Sequence, residues 1–172
     1  TVKNEWLHCL TLPRELKVID RVLYQVPIDE MQSIRGEKTE FNRRVNGEIE
    51  TGKGTAYEMI AEFSNFSDDF GLKLRADENN ETLIKFDCKE KKLVLDRSRG
   101  EQPDKKPRKV YLGDIEKLDL RIFVDNSSVE VFVNGGKEVF SSRIFPQKDA
   151  DGIKVFSEGN VNVKIEKWEW QD

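Results

Sequence analysis

Asp125 and Glu130, flanking a turn at Asn126 to Ser128, are a pair of carboxylates that could act as acid and base. An Asp at a strand end ordinarily accepts bonds from turn amides, and a Glu within an alternating strand ordinarily points to solvent; we read both residues so. Arg143 has the fork that grips a phosphate or a carboxylate, although an Arg on a strand face commonly pairs with an acid across the strand. Asp149-Ala150-Asp151-Gly152 resembles the start of a calcium loop. It lacks the further acids and the closing Glu of an EF-hand and reads as a tight turn into a strand at Ile153. His8 has no Cys or His at metal spacing and stands beside Cys9, not beside a Ser nucleophile. Gly52-Lys53-Gly54 lacks the spacing of a phosphate loop. The residues therefore assign no catalytic group, no cofactor and no metal ligand. The aromatic residues Trp168, Trp170, Tyr111 and Phe66 lie near loops or chain ends, where an exposed ring can stack on a sugar. Trp168 and Trp170 are the candidate sugar-stacking pair, and closing the core at its end is the competing role.

These side chains must be positioned by strands. The runs Leu118-Asp119-Leu120-Arg121-Ile122-Phe123-Val124, Val129 to Val133 and Glu138 to Pro146 alternate, with Asn126-Ser127 and Asn134-Gly135-Gly136 between them, and so form a meander. Further period-2 segments are Trp6 to Leu12, Leu16 to Ile19, Leu23 to Val26, Tyr57 to Phe63, Gly71 to Arg75, Thr82 to Cys88, Lys92 to Asp96, Ile153 to Phe156 and Val161 to Trp170. Glu40 to Ile49 is a further strand, and Asp29 to Arg35 a short helical turn. The pattern predicts an all-β fold of two packed antiparallel sheets, a β-sandwich. In β-phase, Tyr57, Met59, Ala61 and Phe63 face the core while Glu58 and Glu62 face water. Trp168 and Trp170 are one residue out of phase with Val161, Val163 and Ile165, which predicts a bulge near Glu166 or Lys167. Ser98 to Lys109, charged and proline-containing, reads as a mobile loop between strands.

The 172 residues suit a single domain, residues 1–172, and a hydrophobic fraction of 37% beside 36% charged residues suits a soluble one. A net charge of -4 provides no field for a polyanion or an acidic membrane, so neither nucleic acid nor membrane is an expected partner. No apolar run reaches the roughly 18 to 20 residues of a membrane span, and no signal peptide is recognisable. Cys9 and Cys88 fall within strand-like pattern and read as free buried thiols, consistent with a reducing cytoplasm.

Asp125-Asn126-Ser127-Ser128-Val129-Glu130-Val131-Phe132-Val133-Asn134 resembles the signature of the C-terminal domain of family 32 glycoside hydrolases. Within that family it is most similar to the bacterial sucrose-6-phosphate hydrolases. Leu10 to Leu16, Leu23 to Pro27, Gly71 to Arg75, Leu93 to Ser98 and Trp168-Glu169-Trp170 are similar to other segments of the same domain, in order along the chain. The resemblance implies a lectin-like, concanavalin A-like jelly roll. It also implies a non-catalytic C-terminal accessory domain of an intracellular retaining β-fructofuranosidase acting on sucrose 6-phosphate or sucrose. Retaining hydrolysis needs two carboxylates about 5 to 5.5 Å apart. The family carries its own on an N-terminal five-bladed propeller, in Asn-Asp-Pro, Arg-Asp-Pro and Glu-Cys motifs, none of which occurs here. The expected partner is thus the protein's own propeller, which the domain would pack on and stabilise while helping to set quaternary structure, a homodimer included. Thr11, Pro13, Arg14 and Glu15 are the candidate propeller contact, and a domain with that role should expose an apolar patch when viewed alone. A stand-alone carbohydrate-binding sandwich is the alternative.

Overall fold

The computed structural model describes residues 9–171. Its strands are β1 (Arg14–Ile19), β2 (Val22–Pro27), β3 (Arg35–Lys53), β4 (Tyr57–Ser64), β5 (Phe70–Ala76), β6 (Glu81–Asp87), β7 (Lys92–Arg99), β8 (Arg108–Tyr111), β9 (Lys117–Asp125), β10 (Ser128–Val133), β11 (Glu138–Arg143) and β12 (Gly152–Trp170). A 3-10 turn over Asp29–Ile34 joins β2 to β3, where a short helical turn was expected. The expected strand from Trp6 to Leu12 does not form over Cys9 to Leu12, and Trp6 and His8 lie outside the described residues.

The hydrogen-bonded order is β11-β10-β9-β4-β12-β5-β6-β7-β8, with β3 running along β12. The long strand β12 makes this one path into two leaves. Its residues Asn162 to Glu169 pair with β4, whereas Gly152 to Ser157 pair with β5. Between them the register with β3 slips from Ser157 to Val161, opposite Gly47, whose φ of 86° is one that a residue with a Cβ adopts only under strain. A bulged strand that passes from one sheet to the other is how a sandwich turns its corner. The two segments read as separate strands, Ile153 to Phe156 and Val161 to Trp170, are therefore one strand. The expected bulge does not fall at Glu166 or Lys167, through which pairing with β4 runs unbroken; the register with β3 slips just beyond them, between Trp168 and Trp170. The phase change has another cause: Lys167 points inward, its ammonium donating to the Lys53 carbonyl at 2.7 Å and to the Glu169 carboxylate, 5.5 Å from the Tyr57 ring centre. Its methylenes line the end of the core while its charge is satisfied there.

Between the leaves lies the core. Tyr57, Met59, Ala61 and Phe63 of β4 and Leu118, Leu120, Ile122 and Val124 of β9 are buried in the alternation that the sequence predicts. The second leaf contributes Leu72 and Leu74 of β5, Ile84 of β6, and Leu93 and Leu95 of β7. At one end Phe70 packs against Phe63 at 4.9 Å, Phe66 at 4.5 Å and Phe86 at 5.6 Å between ring centres, so Phe66, partly buried, packs against the core and is not a free stacking platform. The β7–β8 loop is gathered around Asp104, which accepts from Arg97 at 3.3 Å and Arg108 at 3.2 Å.

Candidate functional site

One cross-strand row on the outer face of the first leaf runs Ser141, Glu130, Phe123, Glu58, Trp168 and Lys38. A neighbouring row places Phe132, Arg121 and Ile60 side by side. Strand alternation alone makes this the solvent side. Yet Glu58 is 0% exposed, and Phe123, Phe132 and Glu130 are buried as well. The expectation that Glu58 and Glu130 face water is thus wrong, because a second layer of chain covers the face.

That cover is the entry segment and the root of the β1–β2 hairpin. The Leu12 amide donates to Glu130 Oε1 at 2.6 Å. The Arg14 guanidinium forms an ion pair with Glu130 and donates to Ser141 Oγ at 2.6 Å and to Gln25 Oε1 at 2.8 Å. Arg35, where β3 begins, grips Glu58 with two donors at 2.8 and 2.6 Å, and Arg121 Nε donates to the same carboxylate at 2.7 Å. Each guanidinium also lies near a ring: Arg35 at 3.9 Å from the Trp168 centre, Arg121 at 5.1 Å from Phe123 and Arg14 at 5.2 Å from Phe132. These are the geometries in which Arg is favoured over Lys, a planar fork on a carboxylate and a flat cation against a ring. The bond to Glu58 raises the Arg35 pKa still further, so that cation is permanent.

Such an arrangement ties elements together and leaves no carboxylate free to react. Glu58 and Glu130 both lie opposite Phe123, so with strands about 4.8 Å apart their Cα atoms are on the order of 10 Å apart. Two clefts flank the layer. One of about 240 Å³ is lined by Val26, Pro27, Ile60, Arg121 and Phe132, and one of about 230 Å³ by Thr11, Glu130, Ser141 and Arg143. Both are smaller than the roughly 300 to 1,000 Å³ of ordinary ligand sites.

Of the residues singled out for a contact, Thr11, Pro13 and Glu15 are exposed, and Glu15 pairs with Lys17 at 2.8 Å. Arg14 is largely buried, because its charge is used on Glu130. Trp168 carries the Arg35 guanidinium, with Lys38 at 5.3 Å from its ring centre, and Trp170 lines a cleft with Leu10, Pro13 and Phe123. Both tryptophans therefore belong to the covered outer face and not to the end of the inner core. Asp125 accepts from the Asn126 amide at 2.7 Å, as a turn-capping Asp does. Arg143 lies 5.0 Å from the Phe145 ring centre, Asp151 pairs with Lys53 at 3.4 Å, and Tyr111 is exposed. Among the described residues no group of three His, Cys, Asp or Glu side chains could hold a metal ion. Cys9 is exposed, contrary to expectation, since the strand that would have buried it is not formed. Cys88 is half-buried, and burial pushes its thiol up to about 11.

Gly136 fixes the hairpin to the leaf. Its φ is 89°, and a Cβ there would stand 2.0 Å from the Gln25 carbonyl oxygen. Gly136→Ala should lift the hairpin root as well as strain the backbone, lowering stability by about 1 to 3 kcal/mol. Gly135→Ala, at φ 73° with nothing near its Cβ, should bear only the backbone part. Urea midpoints of the two variants, with tryptic cleavage at Arg14, Lys17 and Arg21 as a local readout, measure the difference.

The residues missed from sequence are Arg35, Glu58 and Arg121. A signal for them does exist. Phe123 and Phe132 fall in the polar phase of otherwise regular alternation, which marks an outer face that something covers.

Comparison with known proteins bears on the same stretch. Residues 30–169 match a family model described as "Glycosyl hydrolases family 32 C terminal". A sucrose-6-phosphate hydrolase of Staphylococcus xylosus is 34% identical over 95% of this chain and 35% of its own length. A levanase of Bacillus subtilis is 33% identical over 94% of this chain and 27% of its own. Among solved structures, sucrose-6-phosphate hydrolase from Lactobacillus gasseri superposes with a TM-score of 0.79 at 27% identity, covering 92% of this chain and 33% of that one. The chain thus spans about a third of the length of the relatives it matches.

Proposed function

This chain belongs to glycosyl hydrolase family 32, as that family's C-terminal domain, and on that premise we propose that it is the non-catalytic accessory part of a retaining β-fructofuranosidase acting on sucrose 6-phosphate or sucrose. Its work is to pack against the catalytic propeller and stabilise it, with Thr11, Pro13, Arg14 and Glu15 at or beside the contact. The observation that carries this reading is the match to about a third of each relative, through a model of the C-terminal part alone. The site chemistry agrees with it, since Glu58 and Glu130 are each held in an ion pair by an arginine. A cytoplasmic setting belongs to the same proposal, Cys9 and Cys88 both being free thiols.

The test is the intact mass of the product expressed from its natural start, with hydrolysis of sucrose and sucrose 6-phosphate by that product and by these 172 residues. We expect a longer product, about three times this mass, that cleaves at least one of the sugars, and no cleavage by the 172 residues alone. A natural product no longer than this chain, inactive on both, would overturn the proposal.

A further inference from the structure

We propose that the β1–β2 hairpin projects from the first leaf as an apolar ridge, Leu16, Val18 and Leu23, that docks on the catalytic domain of the same polypeptide. The inference rests on the accessory-domain reading above and names its contact surface. Among the described residues the large hydrophobic side chains left exposed are Leu10, Leu16, Val18, Ile19, Leu23 and Tyr111, and all but Tyr111 lie on the entry segment or this hairpin. Val18 is 73% exposed and Leu16 65%. Scattered single hydrophobics are normal on a surface, whereas a contiguous cluster marks an interaction site.

Register decides which way the ridge faces. Val18 pairs with Leu23 and Leu16 with Gln25, so Leu16, Val18 and Leu23 share a ribbon face with Arg14 and Gln25. At the root that face is seated on the leaf through the Arg14 bonds to Glu130 and Ser141. Toward the tip, where Asp20 and Arg21 turn the chain with φ of 50° and 66°, the same face overhangs with only apolar side chains to offer. A two-stranded ribbon is marginal in water by itself and gains from a third surface against it. Nearby charges, Glu15, Lys17, Asp20 and Arg21, are of both signs, so apolar burial and not a charged field would select the partner.

The occupant follows from the relatives. They carry about two thirds of their length outside the part that this chain covers, and residues 30–169 match the family's C-terminal model, so in them the remainder precedes the segment corresponding to this hairpin. The ridge lies just before residues 30–169, the part that the C-terminal model matches, and is therefore the described strand pair nearest to that remainder along the chain.

Hydrogen exchange of the amides of residues 16–24 tests the idea, in the product expressed from its natural start and in the 172-residue chain. Exchange in the longer product should be at least about tenfold slower. The combined variant Leu16→Ser, Val18→Ser, Leu23→Ser should erase that protection and lower the thermal midpoint of the longer product by several degrees. The same substitutions should leave the midpoint of the 172-residue chain nearly unchanged. A longer, sugar-cleaving product with hairpin amides as open as in the short chain would overturn the ridge while leaving the accessory reading intact. Protection in the short chain that grows with its concentration would assign the ridge to a second copy and overturn it too. The absence of any longer product would instead remove the reading on which the ridge rests.

Discussion

Glu58→Ala is expected to lower the stability of this chain by about 3 kcal/mol, although Glu58 lies on the outward face of its strand and contributes nothing to the inner core. The carboxylate is fully buried and is the partner of both Arg35 and Arg121, whose side chains are themselves only 19% and 20% exposed. Its removal leaves two guanidiniums facing each other with most of their hydration withheld. Arg cannot shed its proton to relieve this. The lower end of the range for broken buried pairs applies because both arginines retain some contact with water. Glu58→Gln keeps the shape and one acceptor oxygen and should fall between wild type and Glu58→Ala. Urea titration followed by Trp fluorescence is the measurement, since Trp168 stacks on Arg35 and reports on the same layer. A loss below about 0.5 kcal/mol, the size of an ordinary surface substitution, would show that the cluster does not hold the cover in place.

Phe70→Ala should cost about 3 to 5 kcal/mol and lower the thermal midpoint by on the order of 10 °C. Phe70 is fully buried on β5 and is the ring shared by contacts with Phe63, Phe66 and Phe86. Phe63 belongs to the first leaf and Phe70 and Phe86 to the second, so the cavity would open between the sheets where neither can close on it without moving the other. Calorimetry on the wild type and Phe70→Leu beside Phe70→Ala separates lost ring contacts from lost volume. Equal destabilisation by Leu and Ala would mean that aromatic geometry and not cavity size dominates.

The two sites differ in what their loss does to function. Phe70→Ala weakens the sandwich as a whole. Glu58→Ala frees Arg35, where β3 begins after the turn that follows the hairpin, so it should loosen that junction before it unfolds the core. Limited trypsinolysis at Arg14, Lys17 and Arg21 separates these effects, because local opening frees the backbone at these sites while the core strands stay protected.

The sequence by itself determined the strands, their alternation and the two-sheet class, because each rests on local periodicity: Tyr57 to Phe63 and Leu118 to Val124 bury the residues that their phase assigns. The family, too, was legible in ordered motifs from Leu10 to Trp170. Tertiary structure alone decided which sheet faces are covered. Glu58 and Glu130 sit in polar phase and are nevertheless buried, since the cover is supplied by residues more than 20 positions earlier in the chain for Glu58 and more than 100 for Glu130. Whether β12 is one strand or two, and why Lys167 points inward while Trp168 points out, likewise depends on pairing with β3, β4 and β5 at once. A period of two assigns a side chain to one face or the other. Only the long-range contacts determine what lies against that face, and that is what buries Arg14 at the hairpin root and leaves Val18 in water at its tip.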